Sequence, residues 1–357
     1  MSTSVLITGG AGFIGSALSR RLVEAGYDVA IMDVLLPQVH GGKQAIDLPS
    51  AVRLFTGDVT HAPDCDAVLR LFRPTQIVHL AAETGTAQSL SQATRHGSVN
   101  VVGTTQLLDA LSRSGIVPEQ IVVASSRAVY GEGAWQSGGQ TFYPRPRTHA
   151  QLAAGIWDPQ GPTGEPAVPL PHCAGRTEPR PISIYGATKL AQEHLLTAWT
   201  SAHDSNLSVL RLQNAYGPGQ SLTNPYTGVV PFFARLSRAH RPSEIYEDGR
   251  IVRDLIYIDD VIDALFTAVN KPVTEPRCLD IGSGQGTTIH ELAQKIAAIF
   301  DAPEPIVVGK FRDGDIRAAS CDSGPAQREL DWRPKWALDD GLRALLEWID
   351  EQPESTL

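Results

Sequence analysis

The stretch TGGAGFIG, residues Thr8–Gly15, contains four glycines and directly follows the apolar run Val5–Ile7. An apolar run, a glycine-rich turn and a helical pattern predict a strand–turn–helix unit. The backbone of such a turn can approach a pyrophosphate, and the helix N-terminus attracts its charge. The spacing fits either of two patterns, Gly10-Gly12-Gly15 or the wider Gly9-Gly12-Gly15. The alternative is a tight turn with a structural role only.

Strand-like and helix-like segments alternate through the first half of the chain. A helix is predicted at 14–25 and a strand at 28–32, with further apolar runs at 52–55, 77–80 and 121–124 and a helical pattern at 101–111. Later patterns predict helices at 185–202, 229–239, 259–269, 290–300 and 338–349, and strands at 207–212, 254–258 and 279–281. Strands separated by helices predict an α/β protein with a doubly wound parallel sheet.

The domain organisation follows from this alternation. We expect residues 1–215 to form the dinucleotide-binding domain, with 251–275 returning to it, and 216–357 to form a smaller, mixed α/β substrate-binding lobe. A Gly- and Pro-rich insert at 132–181 lacks sustained periodicity. A long segment of this kind is typical of a lid, a binding loop or a disordered insert. Because it leads into Tyr185, we favour a cover over the site; a solvated insert or an oligomer contact is the alternative.

An acidic residue, Asp33, ends the second predicted strand. Its carboxylate can accept hydrogen bonds from the adenosine ribose and would repel a 2′-phosphate, which favours NAD over NADP. Asp58 and Val59 follow the third strand; we expect Asp58 to contact the adenine edge or to cap a helix. The predicted cofactor contacts are Gly9, Gly12, Phe13, Ile14, Gly15, Asp33, Asp58, Val59, Leu80, Ala81, Ala82, Tyr185 and Lys189.

Tyr185 and Lys189 are four residues apart in a helical pattern, so their side chains share one face. An ammonium beside a phenol favours the phenolate. A base working near neutrality needs its pKa about three below the usual value of about 10, which is worth about 4 kcal/mol. Ser126 ends a predicted strand and can hydrogen-bond the same reacting oxygen. These three residues predict hydride chemistry on a substrate hydroxyl.

Composition excludes several classes of protein. The formal charge is −9 and no dense Lys/Arg cluster occurs, which argues against a nucleic-acid partner. No apolar run is long enough to cross a bilayer. The four cysteines form no CxxC pair and the chain enters a strand without a leader pattern, so we expect reduced thiols in a cytoplasmic protein and no metal site. Arginines that can bind a substrate diphosphate are Arg253, Arg312 and Arg317, although each has an aspartate nearby in the sequence for an ion pair.

Taken together, these motifs resemble the extended short-chain dehydrogenase/reductase family, in particular its nucleotide-sugar epimerases and dehydratases. The resemblance covers nearly the whole chain and rests on Thr8–Gly15, HLAA at 79–82, SSRAVYG at 125–131, YGATK at 185–189, RLQNAYGPGQ at 211–220, RDLIYIDD at 253–260 and the DIGSG and GDIR segments. It implies a Rossmann-type sheet, bound NAD, a nucleotide-diphosphate sugar as substrate and a homodimer.

The resemblance also implies residue roles. It makes Ser126, Tyr185 and Lys189 catalytic; the implied substrate contacts are Glu83, Thr84, Ser126, Arg127, Asn214, Val230, Arg253, Arg312 and Arg317. The family's 4,6-dehydratases carry an Asp-Glu pair after the catalytic Ser/Thr, where this chain has Arg127-Ala128.

Inversion at sugar C4 is therefore the predicted reaction, and the segments ETGTAQSL, SSRAVYGEG and GQSLTNPYTG resemble the family's deoxysugar 4-epimerases, those of dTDP-L-rhamnose in particular. The alternatives are another conversion on the same scaffold (a 3,5-epimerase, a 4-ketoreductase or a dehydratase) and a redox-silent NAD-binding sensor.

Overall fold

A computed structural model of the chain describes residues 3–40, 47–222, 224 and 228–352. Its strands are β1 (Ser4–Thr8), β2 (Asp28–Asp33), β3 (Arg53–Thr56), β4 (Gln76–His79), β5 (Gln120–Ser126), β6 (Trp135–Ser137), β7 (Gln140–Phe142), β8 (Val168–Pro169), β9 (Asn206–Leu212), β10 (Asn214–Tyr216), β11 (Glu244–Ile245), β12 (Val252–Tyr257), β13 (Arg277–Ile281), β14 (Gly286–Thr288), β15 (Ile306–Val307) and β16 (Ala318–Ala319).

Helices connect these strands. They are α1 (Phe13–Glu24), α2 (Pro37–His40), α3 (Ala62–Leu71), α4 (Thr86–Ser91), α5 (Ala93–His96), α6 (Gly103–Ser114), α7 (His149–Ala153), α8 (Ile184–His203), α9 (Val229–Arg238), α10 (Ile258–Asn270), α11 (Ile289–Ile299), α12 (Gly324–Leu330) and α13 (Leu338–Asp350). A π-helical segment, Gly97–Val102, joins α5 to α6, and a 3₁₀ turn, Arg127–Tyr130, follows β5.

Seven parallel strands form the large sheet, in the order β13-β9-β5-β4-β1-β2-β3. The strands are apolar on both faces, and two buried clusters cover them: one includes Ile7, Val122 and Leu210, the other Leu6, Ile121 and Val209. Alternate residues of one strand therefore point into different cores, as in a sheet with helices on both sides. The predicted doubly wound α/β fold is confirmed. The order reverses between β1 and β4, and ligands bind at such a switch point.

The insert differs from its prediction. The expected segment without regular structure contains a three-stranded antiparallel sheet, β7-β6-β8, and the helix α7. Thr148 and Gln151 cap α7 by reciprocal hydrogen bonds. The strands have only two or three residues, which is too short for a period of two to show in the sequence.

Strand β13 also lies outside the predicted arrangement. It belongs to the range assigned to the smaller lobe, yet Leu279 pairs with Leu210 of β9 and extends the large sheet. Strand β12 pairs with β10, β14 and β16 in a separate sheet, while α10 packs against α1. The division into two domains stays a prediction.

A buried ion pair attaches α8 to the sheet. Glu193 of α8 binds Arg211 of β9 through two bonds, Nε–Oε1 at 3.0 Å and Nη2–Oε2 at 2.6 Å. The Ser125 hydroxyl of β5 donates to the same carboxylate. Both charged side chains are buried. Since α8 carries Tyr185 and β5 ends at Ser126, this pair aligns the two elements that carry the predicted catalytic groups.

Replacing Arg211 with methionine is expected to lower the free energy of unfolding by about 3–5 kcal/mol, because Glu193 is then buried without its counter-charge. The control Arg343→Met removes an exposed ion pair with Asp340 and is expected to change the free energy of unfolding by less than about 1 kcal/mol. Urea denaturation measures both. Equal effects of the two substitutions would contradict the conclusion that the Glu193–Arg211 pair attaches α8 to the sheet.

Candidate active site

The glycine loop between β1 and α1 lies against the chain that follows β4. Gly9 has a φ of +68°, and a Cβ built there would lie 2.7 Å from the Ala81 nitrogen. Leu80 donates its N–H to the Thr8 carbonyl at 3.0 Å and so extends the β1–β4 pairing. No side chain caps the start of α1 at Gly12, and its first turn carries no acidic residue. The backbone N–H groups of this turn are thus suited to an anionic group.

The other predicted cofactor residues surround this loop. Phe13 and Ile14 pack partly buried against the main core, and Ala81 against the second core. Ala82 is partly exposed next to Ala81. Apolar side chains therefore pack closely beneath the glycine loop.

The Asp33 carboxylate lies buried at the end of β2. It accepts the Ala11 N–H at 3.0 Å and the Leu35 N–H at 2.8 Å. The His40 Nε2 also lies 3.6 Å from the Asp33 Oδ1. A carboxylate has about four acceptor positions, so about one or two remain for ribose hydroxyls. The position agrees with the predicted role.

Of the two roles considered for Asp58, the structure does not show the helix cap. The Asp58 Oδ1 accepts both the N–H and the hydroxyl of Thr60 at 2.8 Å, while His61 is the residue that precedes α3. Val59 is buried in the second core. Their contact with an adenine stays a prediction.

Ser126 and Tyr185 face each other where β5 ends and α8 begins. Burial raises the pKa of Tyr185 above its usual range; the contact with the Ser126 hydroxyl and the charge of Arg127 lower it to a smaller extent. The Ser126 Oγ also accepts the Ala128 N–H at 3.2 Å. The structure therefore brings the predicted hydroxyl pair together.

The predicted lowering of the tyrosine pKa by Lys189 is not found. The Lys189 Nζ donates to the Gln192 Oε1 at 2.5 Å, and burial lowers the pKa of this ammonium to about 8. Lys189 acts instead on His79, whose pKa falls to about 3, chiefly through burial and further through that ammonium. The helical spacing gives a shared face but does not give the direction of a flexible lysine stem.

Two arginines converge beside Ser126. The Arg127 Nε donates to the Asn214 Oδ1 at 2.6 Å, and within the described ranges no carboxylate pairs with Arg127. Burial lowers its pKa to about 9, and the neighbouring Arg253 adds to that effect. Arg253 is buried and pairs with Asp315 at 2.7 Å. Crowded cations in a buried site favour an anionic ligand.

Arg312 and Arg317, also predicted to bind the diphosphate, occupy different surroundings. Arg312 is exposed and lies over the Tyr246 ring. Arg317 is 2% exposed and is bound by three carboxylates, those of Asp158, Glu247 and Asp248. Arg317 therefore links Asp158 of the insert to Glu247 and Asp248, and those carboxylates both occupy its N–H groups and repel a phosphate.

The remaining predicted substrate residues lie on both sides of the site. Glu83 pairs with Arg95 at 2.7 Å, and the Thr84 carbonyl contacts the His96 ring. Val230 is buried in α9 and, with Asn214 and Leu255, lines a cavity of about 30 Å³. A larger groove of about 800 Å³, between the insert and the loop after β13, contains none of the predicted site residues.

Sequence reasoning missed several residues of this site. The His96 ring packs edge-on against the Tyr185 ring at 6.4 Å. Asn100, in the π-helical segment, binds both the backbone of Glu83 and the Thr188 hydroxyl. Gln192 holds Lys189. None belongs to a motif; only the position of Gln192, three residues after Lys189 on one helix, was a usable signal.

Comparison with known proteins identifies the family. The family model "NAD dependent epimerase/dehydratase family" matches residues 5–150 and 162–282. The dTDP-L-rhamnose 4-epimerase of Burkholderia thailandensis is 51% identical over 350 residues, which cover 98% of this chain and 95% of that protein.

Solved structures agree as well. The UDP-glucose 4-epimerase of Thermotoga maritima, crystallised with UDP-glucose, has a TM-score of 0.79 at 28% identity and covers 98% of this chain and 99% of its own. The Thermus thermophilus UDP-glucose 4-epimerase in complex with NAD has a TM-score of 0.78 at 28% identity and covers 98% of this chain and 100% of its own. The chain belongs to the NAD-dependent epimerase/dehydratase family; the family prediction is confirmed.

Adding a methyl group at Gly15 is expected to disturb the glycine loop itself, whereas adding one at Gly12 is not. A Gly15 Cβ would meet the Gly10 Cα at 2.5 Å, but a Gly12 Cβ would meet only the Gly9 carbonyl oxygen, at 3.3 Å. We expect Gly15→Ala to cost about 1–3 kcal/mol of stability and Gly12→Ala less than about 1 kcal/mol. Denaturation of NAD-free protein measures this difference; equal losses would contradict the loop geometry.

Proposed function

We propose that this protein is an NAD-dependent nucleotide-sugar 4-epimerase whose substrate is a dTDP-6-deoxyhexose, dTDP-L-rhamnose or its C4 epimer. The observation that carries the proposal is that Ser126 and Tyr185 meet at the end of β5. This is the same edge of the sheet, formed by the carboxyl ends of its parallel strands, at which the glycine loop lies. The substrate class is supported by the 51% identical dTDP-L-rhamnose 4-epimerase.

The described residues fit NAD. The glycine loop and the uncapped start of α1 suit a pyrophosphate, and Asp33 keeps free acceptor positions for ribose hydroxyls. The Asp33 carboxylate would repel the 2′-phosphate of NADP. NAD held by these residues would supply the acceptor, and then the donor, of the hydride of the sugar C4.

Tyr185 is the proposed base and acid. It removes the proton of the sugar 4-hydroxyl. After the 4-keto sugar has turned to present its opposite face, Tyr185 returns the proton to the same oxygen, and Ser126 hydrogen-bonds that oxygen. Since burial raises the pKa of the phenol, the tyrosine needs added positive charge to work near neutrality. Arg127 supplies part of it, and Lys189 and the pyridinium ring of oxidised NAD would add charge of the same sign during the reaction.

The side chains after Ser126 argue against dehydration. Arg127 is held by Asn214, and Ala128 is buried. Neither position has a carboxyl group for acid–base elimination of water from the sugar. Tyr185, Lys189 and Ser126 are all present, whereas a redox-silent NAD sensor would not need them.

Purified protein supplied with dTDP-L-rhamnose is expected to form the C4 epimer without net NADH. Proton NMR in D₂O separates the mechanisms: hydride transfer within the site keeps hydrogen at C4, whereas a 3,5-epimerase exchanges carbon-bound protons with solvent. Net NADH formation or consumption, or deuterium at C3 or C5, would contradict the proposal. A panel of UDP- and GDP-sugars tests the nucleotide base.

Tyr185→Phe is expected to lower kcat by about 10²–10⁴-fold, because it removes the group that carries the proton. We expect NAD to remain bound, measured by its absorbance after denaturation. Tyr27→Phe, where the tyrosine between α1 and β2 contacts α10 away from the site, is the control with unchanged kcat. Full activity of Tyr185→Phe would overturn the assigned role.

Arg127→Met is expected to weaken the binding of dTDP about 10- to 100-fold, since a buried charged hydrogen bond to the diphosphate is lost. Isothermal titration measures this, with Arg343→Met as the control. Unchanged affinity would remove Arg127 from the diphosphate site.

We also propose a homodimer, as the family resemblance implies, and a cytoplasmic location, which the free cysteines favour; light scattering tests the homodimer. Within the described residues, no helix is both long and apolar enough to span a membrane.

A further inference from the structure

A continuous line of buried polar side chains connects Lys189 with the glycine loop. The Lys189 Nζ lies 2.5 Å from the Gln192 Oε1, and the Gln192 Nε2 lies 2.8 Å from the Thr104 Oγ1. The Thr104 Oγ1 lies 3.0 Å from the His79 Nε2, and the His79 Nδ1 lies 2.6 Å from the Thr8 Oγ1. All five side chains are at most 2% exposed. The line crosses four elements, α8, α6, β4 and β1.

The direction of each hydrogen bond in this line follows from the donors and acceptors present. An ammonium only donates, so the amide oxygen of Gln192 faces Lys189 and its NH₂ group faces Thr104. The single Thr104 hydroxyl hydrogen points at the Asn100 carbonyl, 2.7 Å away, because a carbonyl only accepts. The Thr104 oxygen must therefore accept from both Gln192 and His79.

The donors and acceptors around His79 also determine its tautomer. Its Nε2 carries the hydrogen, because Thr104 has none left to donate. Burial lowers the pKa of this imidazole to about 3, so the ring is neutral and its Nδ1 accepts from the Thr8 hydroxyl. The Thr8 oxygen in turn accepts the Ala81 N–H at 3.4 Å. The donors on both sides point toward Thr104, whose own hydrogen points to Asn100, so the line is not aligned to carry a proton from Lys189 to Thr8 and acts as a support.

We propose that Gln192 and Thr104 are positioning residues, which hold the Lys189 ammonium in place and tie it through His79 to Thr8 at the start of the glycine loop. The catalytic meaning of this inference rests on the proposed function, whereas the hydrogen-bond directions do not.

Gln192 suits this role because it is neutral. Its amide oxygen orients the ammonium but leaves its positive charge available to the Tyr185 phenolate, whereas a carboxylate would neutralise it. The other ionisable groups near Lys189 are Glu193, whose charge is taken up by Arg211, and His79, which is neutral. Among the described residues, Gln192 is the hydrogen-bond acceptor for the Nζ, so two of its three N–H groups remain for Tyr185 and ligands.

The first test uses two substitutions at Gln192 with opposite expected effects. If the ammonium is the active form, kcat falls as pH rises through the lysine pKa. Gln192→Glu places an anion beside Lys189 and is expected to move this alkaline limb up by about one pH unit; Gln192→Leu removes the acceptor and is expected to move it down by about one. A fall in kcat with no shift, or shifts of the same sign, would overturn the inference.

The second test compares two buried threonines. Thr104 and Thr200 are both 0% exposed, and each hydroxyl donates to the carbonyl four residues earlier in a helix. We expect Thr104→Val to lower kcat about 10-fold with KM unchanged, while Thr200→Val leaves kcat as it was. Melting temperatures of both variants give the structural cost. Equal kcat in the two variants would reject a role for Thr104.

The third test does not require activity. Nitrogen-15 NMR of the histidine rings is expected to show a neutral His79 with hydrogen on Nε2, identified by the loss of its signal in His79→Gln. The opposite tautomer or an imidazolium would overturn the directions assigned above. If the tautomer is as expected but no nucleotide sugar is epimerised, the proposed function fails while the support stands. Epimerisation without the Gln192 shifts rejects the positioning role alone.

Discussion

The close approach of two backbones at the centre of the sheet is the constraint on which the rest depends. Strands β1 and β4 run side by side, and the chain leaves them in opposite directions, so a crevice opens between their ends. Gly9 fits against Ala81 only because it has no side chain and adopts a positive φ. This contact aligns the start of α1, the Asp33 carboxylate and the end of the neighbouring strand β5 around one space.

Buried charges keep the surrounding elements in register with the sheet. Glu193 and Arg211 attach α8 to β9. A second group of buried ion pairs connects the insert to later segments of the chain: Glu132 and Arg147 come from the insert, and Glu247 and Arg317 from beyond β10. Arg147 also binds the Asp315 carbonyl, and the Asp315 carboxylate pairs with Arg253. The insert thus supports an arginine of the proposed diphosphate site from behind. Buried ion pairs hold these segments together because separating them would leave a buried charge without its partner, which is strongly destabilising.

Electrostatics divide the site into two halves. Lys189 lies among neutral partners, whereas Arg127 and Arg253 face each other where the substrate diphosphate is proposed to bind. Around Lys189, burial opposes charge on three residues. It raises the pKa of Tyr185 and lowers the pKa values of Lys189 and His79. A phenol in such surroundings becomes a base only when positive charge is brought near it, which couples its activity to the bound pyridinium ring.

The parallel sheet, the loop at Thr8–Gly15 and the pairing of Ser126 with Tyr185 were determined by the sequence itself, because they depend on local periodicity and on motifs with steric requirements. The sequence did not reveal the short strands of the insert, the place of β13 in the large sheet or the burial of Arg317 among three carboxylates. Nor did it show that the Lys189 ammonium donates a hydrogen bond to Gln192. Those features were decided only by the tertiary structure, because burial and the pairing of charges depend on which distant segments pack together, and the spacing of residues along the chain carries no record of it.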